Sequence, residues 1–189
     1  MDRLDKACHY VLQNEDGKPW DRDDGCFTWN PGGHSDPPTK WGVILEEYQQ
    51  VFGPLKFPDG NSVKSATRDQ ALIVYKDKFW GPIKGDSYLE EHKAIAIMDT
   101  AVNKGLGGCK RILEDTLGKT FVGAPWVYGP DLIAAVNAPD PQAFLDSFSA
   151  AVKRYIDARI SENPAREWAR AGWNARASRL IALMAWSPQ

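Results

Sequence analysis

The sequence predicts a mainly helical protein with at most a small β-hairpin after its first helix. Apolar residues recur at helical spacing through most of the chain. No alternation of strands with helices is visible, and Gly and Pro separate the helical patterns. At 189 residues the chain is long enough for one full core, and we expect a single compact unit over 1–189.

The first predicted helix ends in a carboxylate on its apolar face. Apolar residues three and four positions apart form one stripe: Leu4, Ala7, Cys8, Val11 and Leu12. Glu15 continues this stripe, and Gly17 and Pro19 then end the helix. Burial against apolar neighbours raises a carboxyl pKa toward the range in which it donates a proton at neutral pH. Glu15 is therefore a candidate general acid.

A long irregular segment, residues 16–42, follows this helix and is dense in Asp, Gly, Pro, Asn and Ser. A loop of this length inside a compact domain is usually functional. The segment supplies four possible partner carboxylates: Asp21, Asp23, Asp24 and Asp36. A protonated acid beside an ionised carboxylate is what cleavage of a glycosidic bond requires. The alternative interpretation of these aspartates is turn formation.

Helical spacing resumes after this segment. A short helix is predicted over 43–52, closed by Gly53, and a second over 65–80. Further helices are predicted over 108–118 and near 131–137, followed by two long ones. The inner faces of these two are marked by Phe144, Phe148, Val152 and Tyr155, and then by Trp168, Gly172, Leu180 and Leu183.

The clearest helical pattern covers residues 88–104. Ser87 and Glu90 form a capping-box pattern before it, and Gly105 ends it. Apolar residues lie nearly all round this helix, which predicts a buried position. Three polar residues nonetheless share one stripe: His92, Asp99 and Asn103. Because buried polar groups need partners, these side chains either bond to neighbouring backbone or line a wet cleft.

Composition and charge exclude several classes of protein. A hydrophobic content of 43%, a charged content of 25% and a net charge of -2 exclude disordered and collagen-like chains. Basic and acidic residues nearly balance, so we expect no nucleic-acid partner. No apolar stretch is long enough to cross a bilayer, and charges interrupt the N-terminus, so neither membrane insertion nor a secretory signal is expected. Cysteines and histidines show no zinc spacing, and we expect no metal and no cofactor.

Glu15 and Gly17 are followed in order by an Asp, a Gly-Gly pair and the segment "TKWGVI". This order of motifs resembles the glycoside hydrolase family 108 muramidases, many of them bacteriophage endolysins, whose signature is Glu-Gly-Gly, Asp, Gly-Gly, Thr and Gly-Ile or Gly-Val. The segments "YKDKFWGPIKGDSYLEEHKAIAIMDTAVNKG" and "GWNARASRL" resemble the predicted peptidoglycan domain that follows in these proteins. The resemblance covers nearly the whole chain. It makes residues 1–86 the catalytic-signature half and 87–189 a helical peptidoglycan half that shares the same core.

The resemblance implies a lysozyme-like helical fold that cuts the β-1,4 bond between N-acetylmuramic acid and N-acetylglucosamine in peptidoglycan glycan strands. It implies that Glu15 is the general acid and that Thr39 lies across the cleft, where it positions a water or another carboxylate. Two features depart from the family pattern: Asp16 replaces the second signature residue, a Gly, and the stretch from Glu15 to Thr39 is longer. Asp36 and Asp24 therefore compete for the partner role. We favour Asp36 over Asp24 as the partner carboxylate because it is close to Thr39 in the sequence. Either residue would act as a base, as an electrostatic stabiliser or as a structural residue.

Further residues face the cleft if the family pattern is carried over in the same way. Asn103 would bond an N-acetyl group, and a tryptophan would stack on a sugar face. The implied substrate-binding residues are Asp24, Trp41, Tyr75, Trp80, Asp99, Asn103 and Trp126. The alternative for the tryptophans is core packing, and for Asp99 it is a hydrogen bond that locks its helix.

Three functions compete at this point. The first is a muramidase and phage endolysin, expected to be a monomer that accumulates in the host cytoplasm, is released by a holin and acts on the periplasmic cell wall. The second is a non-catalytic glycan-binding protein that has kept the fold, which the Asp16 departure allows. The third is a cysteine peptidase that uses Cys26 with His34 or His92; no helix N-terminus follows Cys26 to lower its pKa.

Overall fold

The computed structural model describes residues 1–16, 27–28 and 37–188. The chain divides into two compact units, Met1–Gly81 and Pro82–Pro188. α-Helices dominate the described part of each unit, which confirms the predicted mainly α class. Within the described ranges, no helix combines the length and the apolar character that crossing a bilayer requires. The expectation of one shared core stays a prediction.

The first unit combines short helices with a small antiparallel sheet. Its described elements are α1 (Arg3–Asp16), β1 (Phe27–Thr28), β2 (Thr39–Lys40), β3 (Val43–Ile44), α2 (Leu45–Phe52), α3 (Gly60–Lys64) and α4 (Arg68–Tyr75), followed by a π-helical turn, Lys76–Trp80. Strand β2 pairs with β1 on one side and with β3 on the other, with Thr39 opposite Ile44. The predicted hairpin is thus β2–β3, and β1 adds a third strand.

The apolar stripe predicted on the first helix is buried. All five of its residues, from Leu4 to Leu12, are at most 8% exposed. Helix α1 packs against α4, and α4 packs against α2. Helix α4 begins with a capping box in which the Thr67 side chain and the Gln70 side chain each bond the backbone N–H of the other residue. These contacts hold α4, whose last residue is Tyr75, within the first unit.

The second unit is built around one long helix. Its described elements are a 3-10 turn (Gly85–Ser87), α5 (Glu91–Leu117), α6 (Pro130–Asn137), α7 (Pro141–Glu162), a 3-10 segment (Pro164–Ala169), α8 (Arg170–Arg179) and a second 3-10 segment (Leu180–Ala185). Helix α7 packs against both α5 and α8. The Ser149 hydroxyl on α7 donates to the Ala177 carbonyl on α8, which ties these two helices together.

Helix α5 differs from its prediction at two points. Ser87 lies in the 3-10 turn, and the N-cap is Glu90, whose side chain accepts from the backbone N–H of His92. The predicted Ser87 cap is therefore wrong. Gly105 breaks the helix as predicted, with φ +71° and ψ 161°, but the helix resumes after it. Since only glycine adopts these angles at low cost, the two predicted helices form one helix with a kink at Gly105.

The last predicted long helix is α8 with a 3-10 segment at each end. Leu180 and Leu183 are buried, as predicted. Trp168 was expected on the inner face, but it is 85% exposed. It lies in the first 3-10 segment, where each turn has three residues instead of 3.6. The shorter period turns Trp168 away from the face that α-helical spacing predicts.

Candidate active site

Glu15 lies in the last turn of α1, the helix whose buried stripe predicted it. Leu12, three residues earlier, is 2% exposed and belongs to the core of the first unit. A separation of three residues corresponds to about 4.5 Å along a helix axis. The backbone of Glu15 is therefore held within about one helical turn of a packed apolar side chain.

The turn that joins β2 to β3 packs against this end of α1. A Cβ built on Gly42 would lie 3.1 Å from Cδ2 of Leu12 and 2.5 Å from the hydroxyl oxygen of Tyr75. The φ of Gly42 is +71°, so both its backbone angle and its surroundings require glycine. The close approach brings the hairpin, the end of α4 and the last part of α1 together in the first unit.

Thr39 begins β2, two residues after Pro37. Its side chain is partly exposed, and its hydroxyl donates to the Pro37 carbonyl over 2.8 Å. This bond fixes the direction of the hydroxyl hydrogen and leaves the oxygen lone pairs available as acceptors. The geometry is compatible with the predicted positioning of a water, which stays a prediction.

Two other predicted residues of the first unit are linked by a hydrogen bond. Tyr75 is fully buried, and its hydroxyl donates to the Trp41 carbonyl over 3.0 Å. Trp41 is 3% exposed and its indole N–H donates to the Ala66 carbonyl. Trp80 is 2% exposed, whereas Trp126 in the second unit is 64% exposed. Among the three tryptophans predicted to stack on a sugar, Trp126 thus has the accessible ring.

Several predicted residues lie outside the described residues. They include both candidate partner carboxylates and two members of the predicted cysteine peptidase pair: Asp24, Asp36, Cys26 and His34. The choice between Asp36 and Asp24 stays a prediction. His92 is described, and its ring Nδ1 lies 3.1 Å from a carboxylate oxygen of Glu90.

Glu47 is an acidic residue of the first unit that the sequence patterns do not single out. It lies in the first turn of α2, directly after the hairpin, and is partly buried. Burial raises the pKa of the Glu47 carboxyl, and a hydrogen bond with the Ile44 backbone opposes that rise. The sequence shows that Glu47 comes shortly after "TKWGVI", but it does not show that the Glu47 carboxyl is partly buried and that its pKa is therefore raised.

Asp99 and Asn103, predicted to share one face, lie one turn apart on α5 in the second unit. Asp99 is 2% exposed, and its two oxygens accept hydrogen bonds of 3.0 and 2.7 Å from Nε and Nη2 of Arg176. The Asn103 side-chain oxygen is buried and accepts no hydrogen bond from the described residues. Sequence reasoning placed Arg176 in the motif "GWNARASRL" but gave it no role, and it lies 77 positions from Asp99. A substrate contact by either predicted residue stays a prediction.

A narrow cavity of about 10 Å³ touches Asp99, Asn103 and Arg176. This volume is close to the smallest that holds one water molecule. Over the described ranges, no group of three or more His, Cys, Asp or Glu side chains is arranged to hold a metal ion. The Asp99–Arg176 pair thus ties α8 to α5 beside a space for one water.

Comparison with known proteins identifies a family and similar solved structures. Residues 8–105, more than half of the chain, match the family described as Glycosyl hydrolase 108. The structure of Brucella abortus SagA is similar with a TM-score of 0.72 and 21% sequence identity, over 98% of this chain and 96% of that chain. The likeness to SagA shows a shared fold. No curated protein matches this sequence.

Proposed function

Because this chain belongs to the glycosyl hydrolase 108 family, we propose that it is a peptidoglycan muramidase that hydrolyses the β-1,4 bond between N-acetylmuramic acid and N-acetylglucosamine. The observation that carries the proposal is the packing of the hairpin turn at Gly42 against Leu12, one turn before Glu15. This contact brings the β2–β3 turn and helix α1 together, and both Gly42 and Leu12 lie in the region that matches the family.

Glu15 serves as the general acid that protonates the leaving glycosidic oxygen. A nearby apolar surface favours the protonated form of a carboxyl group, which keeps a proton available at neutral pH. An ionised carboxylate, Asp36 or else Asp24, acts as base or stabilises the positive charge that develops on the sugar. The Thr39 hydroxyl, held by the Pro37 carbonyl, orients the attacking water.

The biological role proposed for this activity is lysis of a bacterial host by a phage endolysin. The motif order from Glu15 to Ile44 supports this role, because it resembles a signature found in many endolysins. In this role the protein acts as a monomer, collects in the host cytoplasm and reaches the periplasmic wall after a holin opens the inner membrane.

The test compares wild type with Glu15→Gln on purified peptidoglycan. Glutamine keeps the size and hydrogen-bonding capacity of the side chain but delivers no proton, so general acid catalysis predicts a rate loss of roughly 10²-fold or more. The matched control is Glu46→Gln on α2, an exposed residue of the same unit. New reducing ends are identified by borohydride reduction and mass spectrometry. Ends other than muramic acid contradict the proposal, as does equal activity of wild type and Glu15→Gln.

The Asp16 departure from the family signature favours a second candidate, a glycan-binding protein without activity. The same experiment separates the two functions. Binding of wild type to purified sacculi without release of any reducing ends supports the binding protein. Restoring the signature glycine with Asp16→Gly then shows whether this residue alone abolishes hydrolysis.

A further inference from the structure

The second unit contains a cavity of about 370 Å³ beside the kink of α5. Four segments contribute its walls: α5, α7, the 3-10 segment Pro164–Ala169 and α8. Ligand pockets in proteins have volumes of about 300–1,000 Å³. The cavity therefore has the size of a site for a small ligand or for one branch of a polymer.

Among the described residues that line the cavity, three are cations and none is a carboxylate. Lys104 places its ammonium nitrogen 4.1 Å from the ring centroid of Trp173. Arg159 pairs with Glu162 over 2.6 Å. Arg166 is partly buried and forms no ion pair or side-chain hydrogen bond with any described residue. A guanidinium with five N–H donors and no partner in the described part of the chain is suited to a ligand carboxylate.

Aromatic side chains cover another part of the wall. Trp168 is 85% exposed, although an indole of this size gains free energy from burial. Trp173 on α8 also lines the cavity, and Tyr155 approaches α5 where Gly108 has no Cβ: a Cβ there would lie 2.9 Å from the tyrosine oxygen. Flat apolar rings next to cations suit a ligand that combines a ring with a negative charge.

Asn103 adds a hydrogen-bond acceptor to the cavity. Its side-chain oxygen is buried and without a donor among the described residues, which is costly unless a ligand or a water supplies one. The kink at Gly105 directly follows Asn103 and Lys104 in the chain. The cavity thus offers an oxygen that accepts a hydrogen bond, aromatic rings for stacking, and the guanidinium of Arg166. All of them belong to the second unit.

We propose that this cavity binds a muramyl peptide, the part of peptidoglycan in which a peptide stem is joined to N-acetylmuramic acid. This ligand carries each matching group: a carboxylate for Arg166, a pyranose ring for Trp168, and an amide N–H for Asn103. The proposal rests on the proposed function and names the part of the wall polymer that the second unit recognises. An N-acetylglucosamine oligomer has neither a stem nor a lactyl carboxylate, so it binds more weakly.

The test measures binding of a soluble N-acetylglucosaminyl-N-acetylmuramyl tripeptide to the full chain by calorimetry. This probe lacks the bond that a muramidase cuts, so the measurement is independent of catalysis. We expect Arg166→Gln to weaken binding by about fivefold and Trp168→Ala by about tenfold. The control is Arg154→Gln, which removes an exposed arginine of α7 outside the cavity and leaves binding unchanged. Circular dichroism checks that each variant is folded.

Each outcome bears on one proposal. Loss of affinity in both cavity variants, together with weaker binding of a stem-free N-acetylglucosamine oligomer, supports the muramyl peptide site. Wild-type affinity in Arg166→Gln overturns the site, as does equal binding of the oligomer. If Glu15→Gln abolishes hydrolysis while the probe does not bind, the muramidase stands and the cavity proposal fails. If the probe binds but hydrolysis does not depend on Glu15, the general acid assignment fails and the cavity proposal stands.

Discussion

Two aspartates of α5 each pair with an arginine of another helix, and the two pairs differ in burial. We expect the buried pair to contribute more to the free energy of unfolding than the exposed pair. Asp99 and Arg176 are 2% and 10% exposed in their side chains, whereas Asp115 and Arg154 are 48% and 58% exposed. Each pair joins α5 to another helix of the second unit. The substitutions Asp99→Asn and Asp115→Asn therefore make the same chemical change in two environments.

Asp99→Asn is expected to destabilise the protein by about 3–5 kcal/mol. The substitution removes the charge that balances the buried guanidinium of Arg176, and an uncompensated buried charge costs that much. Asp115→Asn is expected to cost about 0–1 kcal/mol, because water solvates the exposed partner. Urea unfolding followed by circular dichroism measures both changes, and the difference between the variants is the quantity to compare.

Equal destabilisation by the two variants would refute this reasoning. A further variant tests the cause: Asp99→Leu combined with Arg176→Met removes both charges and keeps apolar volume. Replacing a buried pair by apolar residues of similar size is often neutral or stabilising. The double variant should therefore be more stable than Asp99→Asn. If it is less stable, the two residues contribute mainly through the other bonds that they make.

Two further predictions concern the core. Gly42→Ala should destabilise the first unit by roughly 2–4 kcal/mol, because its Cβ would lie 2.5 Å from the Tyr75 oxygen and its φ is positive. Gly53→Ala is the control, since Gly53 also has a positive φ but has open space around its Cβ position; equal urea midpoints for the two variants would contradict the role of the contact. Burial raises the pKa of Cys109 to about 12 and raises that of Cys8 well above its usual range, so at pH 8 neither thiol should react with iodoacetamide until the protein unfolds. Mass spectrometry after proteolysis identifies the labelled thiols, and native labelling of either residue would show that its burial is not maintained.

Local periodicity was sufficient to predict several elements of the structure. The stripe from Leu4 to Leu12 is buried because it depends only on which residues fall on one face of a helix. The break at Gly105 was predictable from its residue type. The exposure of Trp168 was not predictable, because nothing in the sequence shows that the chain changes from an α-helix to a 3-10 helix there. Such a change alters the number of residues per turn and therefore the face on which a residue lies.

Local sequence patterns did not predict contacts between residues that are far apart in the chain. The polar stripe on α5 indicated that Asp99 needs a partner, but either a backbone group or a charged side chain would satisfy that need. Arg176 lies 77 positions away, and only the packing of α8 against the rest of the unit brings it within hydrogen-bond distance. In the first unit, the contact of Gly42 with Leu12 and Tyr75 has the same origin.

The buried pair also connects the stability of the second unit to its proposed binding site. Trp173 precedes Arg176 by three residues, so the two side chains lie about one turn apart on α8. Asp99 and Lys104 are five residues apart on α5, which is about 1.4 turns. Because the ion pair fixes α8 against α5, it also sets the 4.1 Å contact between Lys104 and Trp173 in the cavity wall. Asp99→Asn should therefore weaken muramyl peptide binding without any contact to the ligand, whereas Asp115→Asn should leave it unchanged.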